Sequence, residues 1–150
     1  MKAIRILAAA LALGAGPALA DDDLMRVEAQ GDVPAVMDAL VAAVEGAGAT
    51  IFARVDHAGG AEGAGLDLAP SQLLIFGNPK LGTPAMQANP EAGLFLPLKV
   101  LVYEADGKTW LVYQDPEEML DDLDGIDDDA EYVAKMTGAL KRLTSKAAGS

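Results

Sequence analysis

The sequence predicts an α+β domain, and three observations carry that prediction. Two stretches repeat apolar residues at helical spacing: Val33, Val36, Met37, Leu40, Val41 and Val44 in the first, Val133, Met136, Leu140 and Leu143 in the second. Between them lie short apolar runs of strand length. Two of these runs, Lys99 to Ala105 and Lys108 to Asp115, flank the dipeptide Asp106-Gly107, which is the turn chemistry of a two-residue β-hairpin.

Taken in order, the chain opens with a leader. Lys2 and Arg5 give a basic start, Ile6 to Ala15 is nearly all Ala, Leu and Gly, and Pro17-Ala18-Leu19-Ala20 ends in a small-x-small cleavage site. That three-part pattern predicts a signal peptide over residues 1–20 and an exported, periplasmic or secreted, single domain over residues 21–150. The apolar run falls short of the ~20 residues a spanning helix needs, so no membrane association is expected after cleavage. Leu24 to Ala29 alternates weakly, as a first strand. Asp32 can cap a helix whose first turn tolerates Pro34, and Gly46 and Gly48 stop it. Thr50 to Asp56 reads as a strand, and Ala58 to Gly65 as one weak helical turn. Leu73 to Phe76 reads as a strand buried on both faces. Thr83-Pro84 has the form of an N-cap followed by Pro at the first helical position, opening a short helix to about Asn89. Asp115-Pro116-Glu117-Glu118 opens another helix with an acidic capping box. The last helix is expected from about Asp128 to Ser145, with a loose tail from Lys146.

A two-residue turn dictates the hairpin register. It pairs Ala105 with Lys108, Tyr103 with Trp110 and Leu101 with Val112 on one face, and Glu104 with Thr109, Val102 with Leu111 and Val100 with Tyr113 on the other. Both faces are therefore apolar at the centre. The long helices can cover one of them. The second needs short helices, a second copy of the chain or a ligand to cover it, and a homodimer is the leading expectation among the last two.

Composition narrows the function classes. Half of the chain (51%) is hydrophobic, which supports a packed core rather than disorder. The chain has no Cys, which removes disulfides, thiol chemistry and thiolate metal ligands. Loss of residues 1–20 would take Lys2 and Arg5 from the 11 basic residues and none of the 23 acidic ones, moving the net charge from −12 to −14. Nucleic acid is not an expected partner for such a chain, because binding phosphates takes clusters of Lys and Arg.

Several segments together resemble a known family. They are Phe52-Ala53-Arg54-Val55-Asp56-His57-Ala58, Ala64-Gly65-Leu66, Leu73-Leu74-Ile75-Phe76-Gly77-Asn78-Pro79-Lys80, Gly82-Thr83-Pro84, Met86-Gln87, Leu96-Pro97-Leu98-Lys99, Trp110 and Tyr113-Gln114-Asp115-Pro116. The family is catalogued as domain of unknown function 302, and the resemblance covers nearly all of the chain after residue 20. It implies a single mainly antiparallel sheet backed by two longer helices, similar to the TATA-binding-protein-like architecture. It implies no established reaction, and DNA binding does not follow from a likeness of fold in so acidic a chain.

Four features are candidates for chemistry. The segment Gly77-Asn78-Pro79-Lys80-Leu81-Gly82-Thr83 lacks the Lys before Thr83 that a phosphate loop needs, so nucleotide hydrolysis is not expected. Asn78, Lys80 and Thr83 could still hold a small anion at a helix start, or the segment could be an ordinary turn stiffened by Pro79. His57 follows Asp56 and is the one His of the chain, which allows a general base. Adjacent strand residues point to opposite faces, however, and Ser occurs only at 71, 145 and 150 as a partner nucleophile. A His57 shared across a dimer could ligate a metal or haem, and a strand-end His that closes a turn is the plainer reading. The acidic stretch Asp121 to Glu131 partly fits a calcium loop, but its first ligand position would be Leu120 and its apolar position Asp127. An acidic linker entering a helix is the alternative. Met37 and Met136 fall on helix stripes as core residues, and the methionines lack the close spacing of a copper site.

No residue is assigned a catalytic or metal-binding role, and no cofactor is expected. The sequence reads as an exported small-ligand-binding or interaction module, dimeric, whose partner is a small molecule or a protein. The alternative is an enzyme built around His57 or Lys80, a reading that gains if those two residues converge in one pocket with acidic partners.

Overall fold

A computed structural model describes residues 23–127 and 129–149 of the chain. The expected signal peptide over residues 1–20, with its cleavage site, lies outside the described residues. Five strands form one sheet: β1 (Leu24–Ala29), β2 (Thr50–Asp56), β3 (Ser71–Gly77), β4 (Leu98–Ala105) and β5 (Lys108–Gln114). Their order is β1-β5-β4-β3-β2, and every neighbouring pair is antiparallel. Among the described residues six helices accompany them: α1 (Val33–Gly46), α2 (His57–Gly63), α3 (Pro79–Ala88), α4 (Ala92–Phe95), α5 (Pro116–Leu120) and α6 (Glu131–Ala148). The predicted single antiparallel sheet backed by two longer helices is therefore the observed fold.

Local chemistry explains the elements that position the rest. Asp32 caps α1 by accepting from the Ala35 N–H at 2.9 Å, and Pro34 sits in the first turn, where its missing N–H has no partner to lose. The apolar stripe of α1 is buried at Val33, Val36, Met37, Leu40 and Val44. The stripe of α6 is buried at Val133, Met136, Leu140 and Leu143. The β4–β5 turn puts Asp106 at φ 53° and Gly107 at φ 71°, the left-handed pair a tight hairpin requires. Its register is the predicted one at Ala105↔Lys108, Glu104↔Thr109, Tyr103↔Trp110, Val102↔Leu111 and Leu101↔Val112.

α1 and α6 pack on one face of the sheet and bury Leu74, Phe76, Leu98, Val100, Val102, Leu111 and Tyr113. Burial pushes the Tyr113 phenol up from its ordinary value, with a hydrogen bond from Thr144 opposing the shift. On the opposite face Leu73, Ile75, Leu101, Tyr103, Trp110 and Val112 are only half-buried. The expectation that β3 is buried on both faces is thus corrected: Leu74 and Phe76 are covered, whereas Leu73 and Ile75 face the side without long helices.

Several boundaries differ from the sequence reading, among them α2, which runs His57–Gly63 rather than Ala58 to Gly65. α3 starts at Pro79 rather than near Thr83, because Asn78-Pro79 supplies the same cap-then-proline signal five residues earlier. Thr83 is thus not an N-cap, and Pro84 lies inside the helix. α6 starts at Glu131 and runs to Ala148, so residues 146–148 are helix and not a loose tail. Ala147 and Ala148 are buried, and the Gln30 N–H donates to the Ala148 carbonyl at 3.1 Å, which holds that end against the start of α1. At α5 Asp115 accepts from the Glu117 N–H at 3.1 Å, but its own N–H donates to the Asp23 carbonyl, so the reciprocal half of the capping box is not made.

Candidate functional site

A cleft of about 310 Å³ opens at the end of the sheet where β3 runs into α3. Five stretches of chain wall it: Phe52 of β2, Gly77-Asn78-Pro79 with Leu81-Gly82-Thr83, Met86, the run Leu96-Pro97-Leu98 and Met136 of α6. Phe52 reaches the rim because β2 bulges between Ile51 and Ala53, leaving Phe52 unpaired and 58% exposed. Gly77 lets the walls close. A Cβ there would sit 3.4 Å from Pro97 Cβ and 3.5 Å from Phe52 Cε2, in van der Waals contact with both, so a longer side chain would occupy the space between the ring and the proline. Met86 lies across from them, with its sulfur 3.5 Å from where Gly93 would carry a Cβ.

The cleft is apolar and carries no ionisable lining residue. Its polar side chains are Asn78 and Thr83. Asn78 Oδ1 accepts from the Lys80 N–H at 3.0 Å as the α3 cap, so that oxygen is committed to the backbone. No acid, imidazole or amine stands in the walls to move a proton.

The four sequence-predicted site residues therefore separate. Asn78 and Thr83 enter the cleft. Lys80 is exposed on the first turn of α3 and is not part of the lining. His57 is the first residue of α2, exposed, and beyond the far end of β2. Asp56 pairs with Gln72 at that end and Thr50 pairs with Gly77 at the other, which puts His57 about 20 Å of strand away from Asn78. Asp56 caps α2 by accepting from the Gly59 N–H at 2.9 Å and makes no bond to His57. His57 and Lys80 do not converge in one pocket.

The acidic stretch has a structural task. Leu120, Leu123 and Ile126 are buried, so the stretch is pinned to the core. Asn89 Nδ2 donates to the Asp124 carbonyl at 3.2 Å, and Gly125 at φ 85° packs near the Ala88 carbonyl. Among the described residues no group of three His, Asp or Glu is placed to hold a metal ion. Sequence reasoning missed Phe52, Met86, Leu96 and Pro97 as site residues. The one legible signal was Gly77 ahead of Asn78-Pro79.

Comparison with known proteins fits this description. The profile of the family described as Domain of unknown function DUF302 matches residues 25–143. The chain belongs to the DUF302 family. A crystal structure of an uncharacterised conserved DUF302 protein from Bacillus stearothermophilus superposes with a TM-score of 0.74 over 84% of this chain and 98% of that one, at 19% identity. That likeness establishes the DUF302 fold. The chain is also 38% identical over 131 residues to proteins named fluoride-specific ion channel FluC 1 from Brucella suis and from Brucella abortus. The match takes in 86% of this chain but 51% and 48% of theirs, so this DUF302 chain spans about half the length of those relatives. No described helix is long and apolar enough to cross a membrane.

Proposed function

We propose that this DUF302 domain is an exported binding module that takes a small, largely apolar molecule into the Phe52–Met86 cleft. The observation that carries the reading is the cleft itself: about 310 Å³ of space with apolar walls, at the lower end of ligand-site sizes. Phe52 offers an exposed aromatic face at the rim against which an apolar guest can stack. Met86 and Met136 can reshape around a guest because thioether side chains are flexible and polarisable. Asn78 and Thr83 give one polar side for a hydroxyl or amide of the ligand. Export rests on the basic, apolar and small-residue pattern of residues 1–20.

Native mass spectrometry of the protein taken from its own cells tests both parts at once. The expected spectrum shows a chain beginning at Asp21 with an added small mass. A hydrophobic dye such as anilinonaphthalene sulfonate then reports on the cleft. Phe52→Ala is expected to weaken dye binding about tenfold or more, since a buried Phe contact contributes ~1.5–3 kcal/mol. Equal dye affinity in wild type and Phe52→Ala would sink the cleft reading.

The Brucella relatives favour a second reading, in which the domain acts beside a fluoride channel. It rests on the match to about half of proteins bearing that name. Cells lacking this chain would then be more sensitive to fluoride, and unchanged sensitivity would remove the idea.

A further inference from the structure

The backbone donors at the start of α3 are spent within the chain. Pro79 has no N–H. The Lys80 N–H donates to Asn78 Oδ1 at 3.0 Å, and the Leu81 and Gly82 N–H groups both donate to the Asn78 carbonyl, at 2.9 and 3.0 Å. The groups that an incoming anion would use at a helix start are thus already paired. Lys80 is exposed and off the lining, so its charge stays in water.

The Asn78 side chain, by contrast, keeps a donor. The bond from the Lys80 N–H fixes which end of the amide is oxygen, and Nδ2 is the other end. Among the described residues Nδ2 donates to no partner, and none of their buried side-chain polar atoms is left unpaired, so Nδ2 is open to whatever fills the cleft. We infer that Asn78 makes the cleft selective for an uncharged apolar molecule with an acceptor oxygen, such as a ketone or an ester, over a carboxylate of the same size. The inference rests on the cleft being the ligand site.

The walls decide the sign of that preference. Apart from Asn78 the lining is hydrocarbon, thioether and the Thr83 hydroxyl, none of them charged. A carboxylate entering such a site sheds its water and finds no cation to replace it, which is far costlier than desolvating a carbonyl. A carbonyl needs one donor, and Nδ2 supplies it. The net charge of −12 on the chain repels an anion further.

The test is a displacement titration at neutral pH on the protein purified from its own cells. The reporter is phenylnaphthylamine, an uncharged dye with no oxygen, and the competitors are methyl hexyl ketone and octanoate, which have the same carbon count. In the wild type the ketone is expected to displace the dye at a concentration about tenfold or more below that of octanoate. Asn78→Asp keeps the cap of α3 but puts an acceptor where Nδ2 was, so it should bind the dye as the wild type does and lose about tenfold in ketone affinity. Asn78→Ser also caps and also lacks the amide, without adding charge, and should lose about three- to tenfold. Octanoate that competes as well as the ketone in the wild type overturns the inference. So does ketone affinity that is unchanged in both variants while the dye still binds. A dye that does not bind the wild type, or that binds Phe52→Ala equally well, removes the cleft reading itself and this inference with it, so the two failures are told apart by the dye alone.

Discussion

The two faces of the sheet are built from the same strands and nearly the same residue types, yet they have different fates. On the inner face Leu111 is fully buried beneath the helices, and on the outer face its neighbour Val112 is only half-buried. The difference shows that apolar content does not by itself say what covers a strand. Cover is decided by where the connections go. α1 links β1 to β2 and α6 follows β5, and both fall on the same side. Among the described residues no comparably long helix is left for the other.

Truncation separates the faces most sharply. Leu111→Ala is expected to cost about 2–5 kcal/mol in urea unfolding, through lost burial and the cavity left behind. Leu101→Ala is expected to cost under about 1 kcal/mol. Equal costs at the two positions would mean that something within the chain covers the outer face. The caps give a smaller contrast. Asp32→Ala removes the cap of α1, which carries six buried residues, and should cost about 1 kcal/mol. Asp56→Ala removes the cap of α2, which buries none, and should leave the global unfolding midpoint nearly unchanged while speeding amide exchange in α2.

The smallest expected effect lies at α5, at the margin of the inner face. Partial loss of water and the neighbouring Asp121, Asp23, Asp115 and Glu117 raise the Glu118 carboxyl above its ordinary value. A carboxyl raised by folding binds more protons in the native state, so its repulsion is present above the folded pKa and is relieved as pH falls through it. Glu118→Gln should therefore raise the melting temperature slightly at pH 7, with the gain shrinking as pH falls through the raised folded value. Glu131 behaves in the opposite sense. Its hydrogen bond and attraction to Lys135 lower its carboxyl, so that contribution is present at neutral pH and is lost as pH falls through the folded value.

Much of the fold was legible in the sequence because its strongest signals are local. The Asp106-Gly107 turn specifies the hairpin register within two residues, and the Asp32 cap with its stripe specifies α1. Errors arose where two local signals competed. Asn78-Pro79 and Thr83-Pro84 are equally good helix starts, and the chain uses the first while carrying the second proline inside the helix. The stripe of α6 continues through Ala147 and Ala148, whose small side chains give little hydrophobic signal on their own. The cleft was mostly illegible for a different reason. Phe52, Met86, Leu96 and Met136 meet only after the chain has folded, and no spacing among them records that meeting. The bulge that releases Phe52 is likewise a product of pairing with β3.

The strand order carries a consequence for how the molecule comes together. β1 occupies one edge of the sheet and its only strand partner is β5, whose pairing joins Leu24 to Gln114. The strands β3, β4 and β5 join neighbours in sequence, and their contacts close far shorter loops. The meander can therefore assemble early, while the first strand to be synthesised waits for the last before it can pair. Pulsed hydrogen exchange during refolding should find the β3–β5 amides protected ahead of those of β1, so that the beginning of the domain is the final piece to be set in place.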